Sequence, residues 1–175
     1  MDKFTKTFLA VALLVAGNAF AAPKADQVAQ TEGFATEAAA ATAGVTAAAQ
    51  IDIFDECGGV VFQSKSNDLF YYSTPICTGD LKGVTFAIVK VAGYKAVAIW
   101  HTHPNGQSHN TNLAKFSPED VTFADSLKGA NSYIGVVKGI NKAESITMKV
   151  YHKGDAKDCQ TELSVTACYA DGTEI

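Results

Sequence analysis

Residues 96–103 (AVAIWHTH), closed by Pro104, constrain the fold more than any other segment of the chain. An apolar run passes into two histidines spaced by one residue. Such a run reads as a buried strand, and Pro104 ends it because proline has no N–H to give the ladder. Side chains alternate along a strand, so His101 and His103 share one face. On a helix, the same approach would need a spacing of four. Burying two imidazoles without partners is costly, and two in register at a strand end suit a single metal ion.

Two acidic positions extend this constellation. Ser117-Pro118-Glu119-Asp120 opens a helix over residues 117–127, with serine at the N-cap, proline at the first helical position and a carboxylate at the third. As a capping box, the motif needs no further role. The same Asp120 carboxylate also suits a metal, because two histidines and one aspartate leave a fourth zinc position open for water. Ser117 is then placed to donate a hydrogen bond to a developing oxyanion. Glu56, in the run DECGG ahead of another strand, reads as a surface acid on composition alone. Beside a zinc water it would serve as a general base.

In chain order these are Glu-x-x-Gly before a strand, His-x-His-Pro closing a buried strand, and Ser-x-x-Asp opening a helix. Together they resemble the JAMM signature of the MPN/JAB metallopeptidase superfamily. The stretch WHTHPNGQSH with FSPEDVTFAD, and ECGG upstream, is most similar to the JAB-like bacterial domain DUF4329, which also occurs in polymorphic-toxin proteins. The resemblance covers residues 51–150. It implies an α+β fold with a central mixed, curved β-sheet flanked by helices. It also implies Zn2+ held by His101, His103 and Asp120, with Glu56 activating the zinc water and Ser117 supporting the tetrahedral intermediate. The implied activity is hydrolysis of a peptide or isopeptide bond in a polypeptide or a peptidoglycan-type peptide. Branches of the family that lack metal act as scaffolds, so a non-catalytic binding module is the alternative. A zinc-storage or zinc-sensing protein is a third.

Two departures from the family pattern stand out. The spacer between His103 and Ser117, residues 104–116, is longer than in typical members. It contains His109, a substitute ligand or, as we read it, an exposed loop histidine. Cys57 directly follows the proposed base, where a disulfide would either pin Glu56 in place or hold it away from the metal. His152 reads as structural, Asp125 as surface and Trp100 as core.

Residues 1–21 have the form of a secretory signal: Lys3 and Lys6, a short apolar run, then Ala19-Phe20-Ala21 as a small-x-small cleavage pattern. The apolar run is too short for an ordinary span, so no stable membrane insertion is expected after cleavage. A periplasmic or secreted location follows. Export makes the four cysteines meaningful as two disulfides, with three pairings open. Cys159 and Cys168 flank a short alternating segment that fits a staple, which leaves Cys57 with Cys77. Residues 22–50 form an Ala/Thr-rich linker or a loosely packed helix, because alanine favours helix while Gly44 and the threonines weaken it. Residues 51–175 then form the domain. Strands are expected over 58–63, 69–73, 84–91, 96–103, 132–138, 145–151 and 162–169.

Composition and motifs exclude other classes. All 14 basic residues are lysine and the net charge is −4, so the basic footprint of a nucleic-acid binder is missing. The chain lacks the Gly-x-Ser-x-Gly elbow of serine hydrolases and a Gly-rich phosphate loop.

Overall fold

The computed structural model describes residues 22–78, 83–104, 116–127, 129–139 and 142–152, with the backbone of 167–168. In chain order the elements are β1 (Lys24–Ala25), α1 (Glu37–Ile51), β2 (Cys57–Ser64), β3 (Phe70–Tyr72), β4 (Ile76–Cys77), β5 (Ala87–Ile88), β6 (Tyr94–Pro104), α2 (Pro118–Ser126), β7 (Asn131–Lys138), β8 (Ser145–Tyr151) and β9 (Ala167–Cys168). The class is α+β, with a mixed sheet and two helices.

The sheet runs β3-β2-β6-β7-β8-β9, and β4 also pairs with β2. The β2–β6 and β7–β8 pairs are antiparallel, while β6–β7 is parallel. A parallel pair needs a crossover connection, and α2 lies in the one between β6 and β7. This topology brings the first turn of α2 to the end of β6. The strand predicted from AVAIWHTH is therefore central, paired on both sides.

Alternation along the strands sorts residues onto two faces. One face is covered by α1 and includes Cys57, Val61, Ala98, Trp100, Tyr133 and Val137. The other carries Val60 and Phe62, packed with Ala25 of the N-terminal arm, and Ile134, packed with Phe116, Ala124 and Tyr151. His101 pairs with Gly58 on one side and Ile134 on the other, so both histidines lie on this second face.

Of the two expectations for residues 22–50, the helix is found, but it packs tightly rather than loosely. Helix α1 is an integral core element: Ala40, Ala41, Val45 and Ala48 are all 0% exposed. Thr36 caps it by accepting from the Ala39 N–H at 3.2 Å, and Glu37 in the first turn suits the positive end of the helix dipole. The packing is close because small residues line the contact. A Cβ at Gly44 would stand 2.6 Å from Trp100 Cε2, and one at Gly135 would collide with Val45 Cγ1. Gly44, which seemed to weaken the helix, is what lets it approach the sheet.

The strand expected over 84–91 also contracts. Only Ala87–Ile88 pairs, and it pairs in parallel with β1 outside the main sheet. The side chains of Val84 and Phe86 lie instead over Gly58. Of the strand expected over 162–169, Ala167–Cys168 joins β8 in parallel and the rest lies outside the described residues. Residues 1–21, expected to be a signal, and His109 and Cys159 lie outside them too.

Candidate metal centre

Both histidines sit at the end of β6, where His101 is paired on both sides and His103 with β7. His101 is 7% exposed and His103 4%. Their Nε2 atoms approach to 2.9 Å, as the shared face of residues i and i+2 dictates.

Helix α2 supplies the third group. The Ser117 side chain accepts from the Asp120 N–H at 3.1 Å, and Asp120 Oδ2 accepts from the Ser117 N–H at 2.7 Å. The capping box read from the sequence is therefore present. It also fixes the rotamer of Asp120, whose Oδ1 stands 3.2 Å from His101 Nε2 and whose Oδ2 stands 3.4 Å from His103 Nε2. The helix is seated by Ala124 and Val121 against Ile134, Tyr151 and Phe116. Tyr151 donates its hydroxyl to Asp125 Oδ1 at 3.0 Å. Asp125 is exposed, as expected of a surface acid, and its bond from Tyr151 also helps seat α2.

The fourth group comes from the other side. The antiparallel register pairs Gly58 with His101, so two residues earlier Glu56 comes level with His103. Glu56 is 8% exposed. Glu56, His101 and His103 form a buried group able to hold a metal ion, their ligand atoms all within 4.8 Å of one another. Cys57 is disulfide-bonded to Cys77 with a Cα–Cα distance of 4.2 Å. The disulfide holds Glu56 beside the imidazoles rather than away from them.

Electrostatics favour the protonation states that a cation needs. Burial pushes His101 below its ordinary value, and His103 alongside adds to this, against the opposing hydrogen bond that His101 donates to Asp120. Burial also works against the Asp120 charge, but the hydrogen bonds of His101 and His103 outweigh it and hold the carboxyl below its usual range. A neutral imidazole beside an ionised carboxylate is the form in which such groups bind metals.

The three separations of 2.9, 3.2 and 3.4 Å can be compared with a known geometry. Ligands sharing one tetrahedral zinc at about 2.0–2.1 Å lie roughly 3.3 Å apart. The imidazole and carboxylate atoms converge here at that spacing, held by hydrogen bonds whose protons a bound cation would displace.

Ser117 stands at the helix cap, where its oxygen accepts one bond, and a hydroxyl that accepts still has a proton to donate. His152 bonds through Nδ1 to Asn131 Oδ1. Asn131 in turn donates to Glu37 at 2.6 Å, so His152 belongs to a network tying α1 to the sheet, in keeping with a structural role. Trp100 is fully buried in the core. Sequence reasoning missed the link of Tyr151 to Asp125, because a residue off the apolar face of a short helix carries no pattern that names its partner. Among the described residues, no helix is long and apolar enough to cross a membrane, which says nothing about strand-built barrels. No family model, curated protein or solved structure matches this chain.

Proposed function

We propose that the chain is an exported zinc-dependent hydrolase of amide bonds, acting on a polypeptide or a peptidoglycan-type peptide. The observation that carries this reading is the convergence of His101, His103 and Asp120 at separations of 2.9–3.4 Å, with Glu56 buried beside them. His101, His103 and Asp120 would hold the ion. Zinc, when bound there, would supply Lewis acidity for a substrate carbonyl and for a nucleophilic water.

The chain's own groups do the rest. Glu56 accepts a proton at its carboxylate and delivers it to the leaving amine. Ser117, held at the start of α2, donates its hydroxyl to the developing oxyanion. The capping box keeps Asp120 from swinging away, so the ligand set is preorganised. Export rests on the signal-like residues 1–21 and on the Cys57–Cys77 disulfide, which suits an oxidising compartment.

The test is metal content and turnover measured together. Purified wild-type protein should carry about one zinc per chain, as a single three-ligand site requires, and should hydrolyse generic peptide or isopeptide substrates. A His101→Ala/His103→Ala variant should fold and lose both. Wild-type protein that binds no zinc, or that hydrolyses equally well after chelation, contradicts the proposal.

A further inference from the structure

The residue between the two histidines points to the opposite face of β6, away from the imidazoles. Thr102 is 1% exposed. Its Oγ1 accepts from the Cys57 N–H at 2.8 Å and donates to the Cys57 carbonyl at 3.4 Å. One hydroxyl therefore holds both backbone polar groups of the residue that follows Glu56. The side chain of Cys57 is fixed independently through its bond to Cys77 on β4. Cys57 is thus tied along two directions, by β6 through Thr102 and by β4 through the disulfide.

We infer that Thr102 is a positioning residue, whose hydroxyl holds the Glu56 end of β2 against the imidazole pair. The inference rests on the proposed metal site but makes a separate claim about what places Glu56 there. The strand that presents His101 and His103 also sets the position of the carboxylate, through the side chain between them. Any shift of β6 moves ligands and carboxylate together, which preserves their spacing. Valine has a similar shape but no hydroxyl, so Thr102→Val would leave the buried Cys57 N–H without the acceptor it has at 2.8 Å. Thr102→Ser keeps the hydroxyl and loses only a methyl.

The experiment compares wild type, Thr102→Val and Thr102→Ser as full mature chains with the disulfide intact. Amide hydrogen exchange is read at Cys57, zinc affinity by titration and turnover on a generic peptide substrate. In Thr102→Val, exchange at Cys57 should rise roughly tenfold or more as local opening is eased. Turnover number should fall by a similar factor, with KM and zinc affinity little changed, and Thr102→Ser should restore both. Unchanged Cys57 exchange in Thr102→Val overturns the inference, as does failure of serine to restore it. Loss of zinc in parallel with turnover also overturns it, since the hydroxyl would then be supporting the ligands. If the wild type proves catalytically inert, the hydrolase reading fails while exchange at Cys57 still decides whether Thr102 holds this strand end.

Discussion

Asp120 performs two tasks at once, and two substitutions separate them. As third residue of α2 it closes the capping box by accepting from the Ser117 N–H at 2.7 Å. As neighbour of both imidazoles it stands 3.2 and 3.4 Å from their Nε2 atoms. Asp120→Asn keeps an oxygen that can accept from Ser117 but removes the charge. Asp120→Ala removes both. Losing half of a capping box costs about 1 kcal/mol, which in a domain of this size lowers the melting temperature by about 2–4 °C. Changes behind a metal ligand already cost roughly 10–100-fold in affinity, so removing a ligand should cost at least about 100-fold, or ~2.7 kcal/mol. Thermal melts of metal-free protein and calorimetric zinc titration read the two effects separately. Asp120→Asn should melt near the wild type and bind zinc far more weakly. Asp120→Ala should be impaired in both. If both variants bind zinc as the wild type does, Asp120 is a helix cap alone and the three-ligand argument is refuted.

Glu56→Gln should retain zinc and lose nearly all turnover; loss of zinc instead would make Glu56 a ligand rather than the base. The unfolded chain takes up a proton on His101 below its ordinary value of 6.5, which the folded site resists. Stability of the metal-free protein is therefore fully present above that pH and declines as pH falls below it; a stability flat from about pH 7 to 5 by chemical denaturation would contradict the burial argument. Replacing Cys57 and Cys77 with serine opens a cross-link of sequence separation 20 and should cost about 3 kcal/mol, with an unchanged denaturation midpoint as the contrary result. Gly44→Ala gains up to about 1 kcal/mol of helix propensity but places a methyl 2.6 Å from the Trp100 indole. Overpacking costs about 1–3 kcal/mol, so the variant should be less stable; a higher melting temperature would show that α1 can retreat freely from the sheet.

The elements legible in the sequence are those whose pattern is local. The apolar run into His101 and His103 announced a buried strand, and Ser117, Pro118 and Asp120 announced a helix start to the residue, because caps act within one turn. The tight packing of helix α1 was not legible for a physical reason. Its buried stripe is made of Ala40, Ala41, Gly44, Val45, Ala48 and Ala49, residues too small to look apolar by bulk. They are buried because close approach to Trp100 needs small side chains. The segment around Val84 and Phe86 has strand-like composition, yet it lies over Gly58 instead of joining the main sheet, a choice made by tertiary contact. The types of the site residues could be read from the sequence, but the link of Thr102 to Cys57 spans 45 positions and depends on the β2–β6 register. Nothing local encodes that register beyond the alternation it satisfies.

The most direct test of the central claim is the structure of the zinc-loaded protein, with the metal located by its anomalous scattering. One zinc should be bound by His101 Nε2, His103 Nε2 and an Asp120 carboxylate oxygen, with a water as fourth ligand within hydrogen-bond reach of Glu56. Zinc bound elsewhere, or held by the histidines while Asp120 serves only to cap α2, would contradict it.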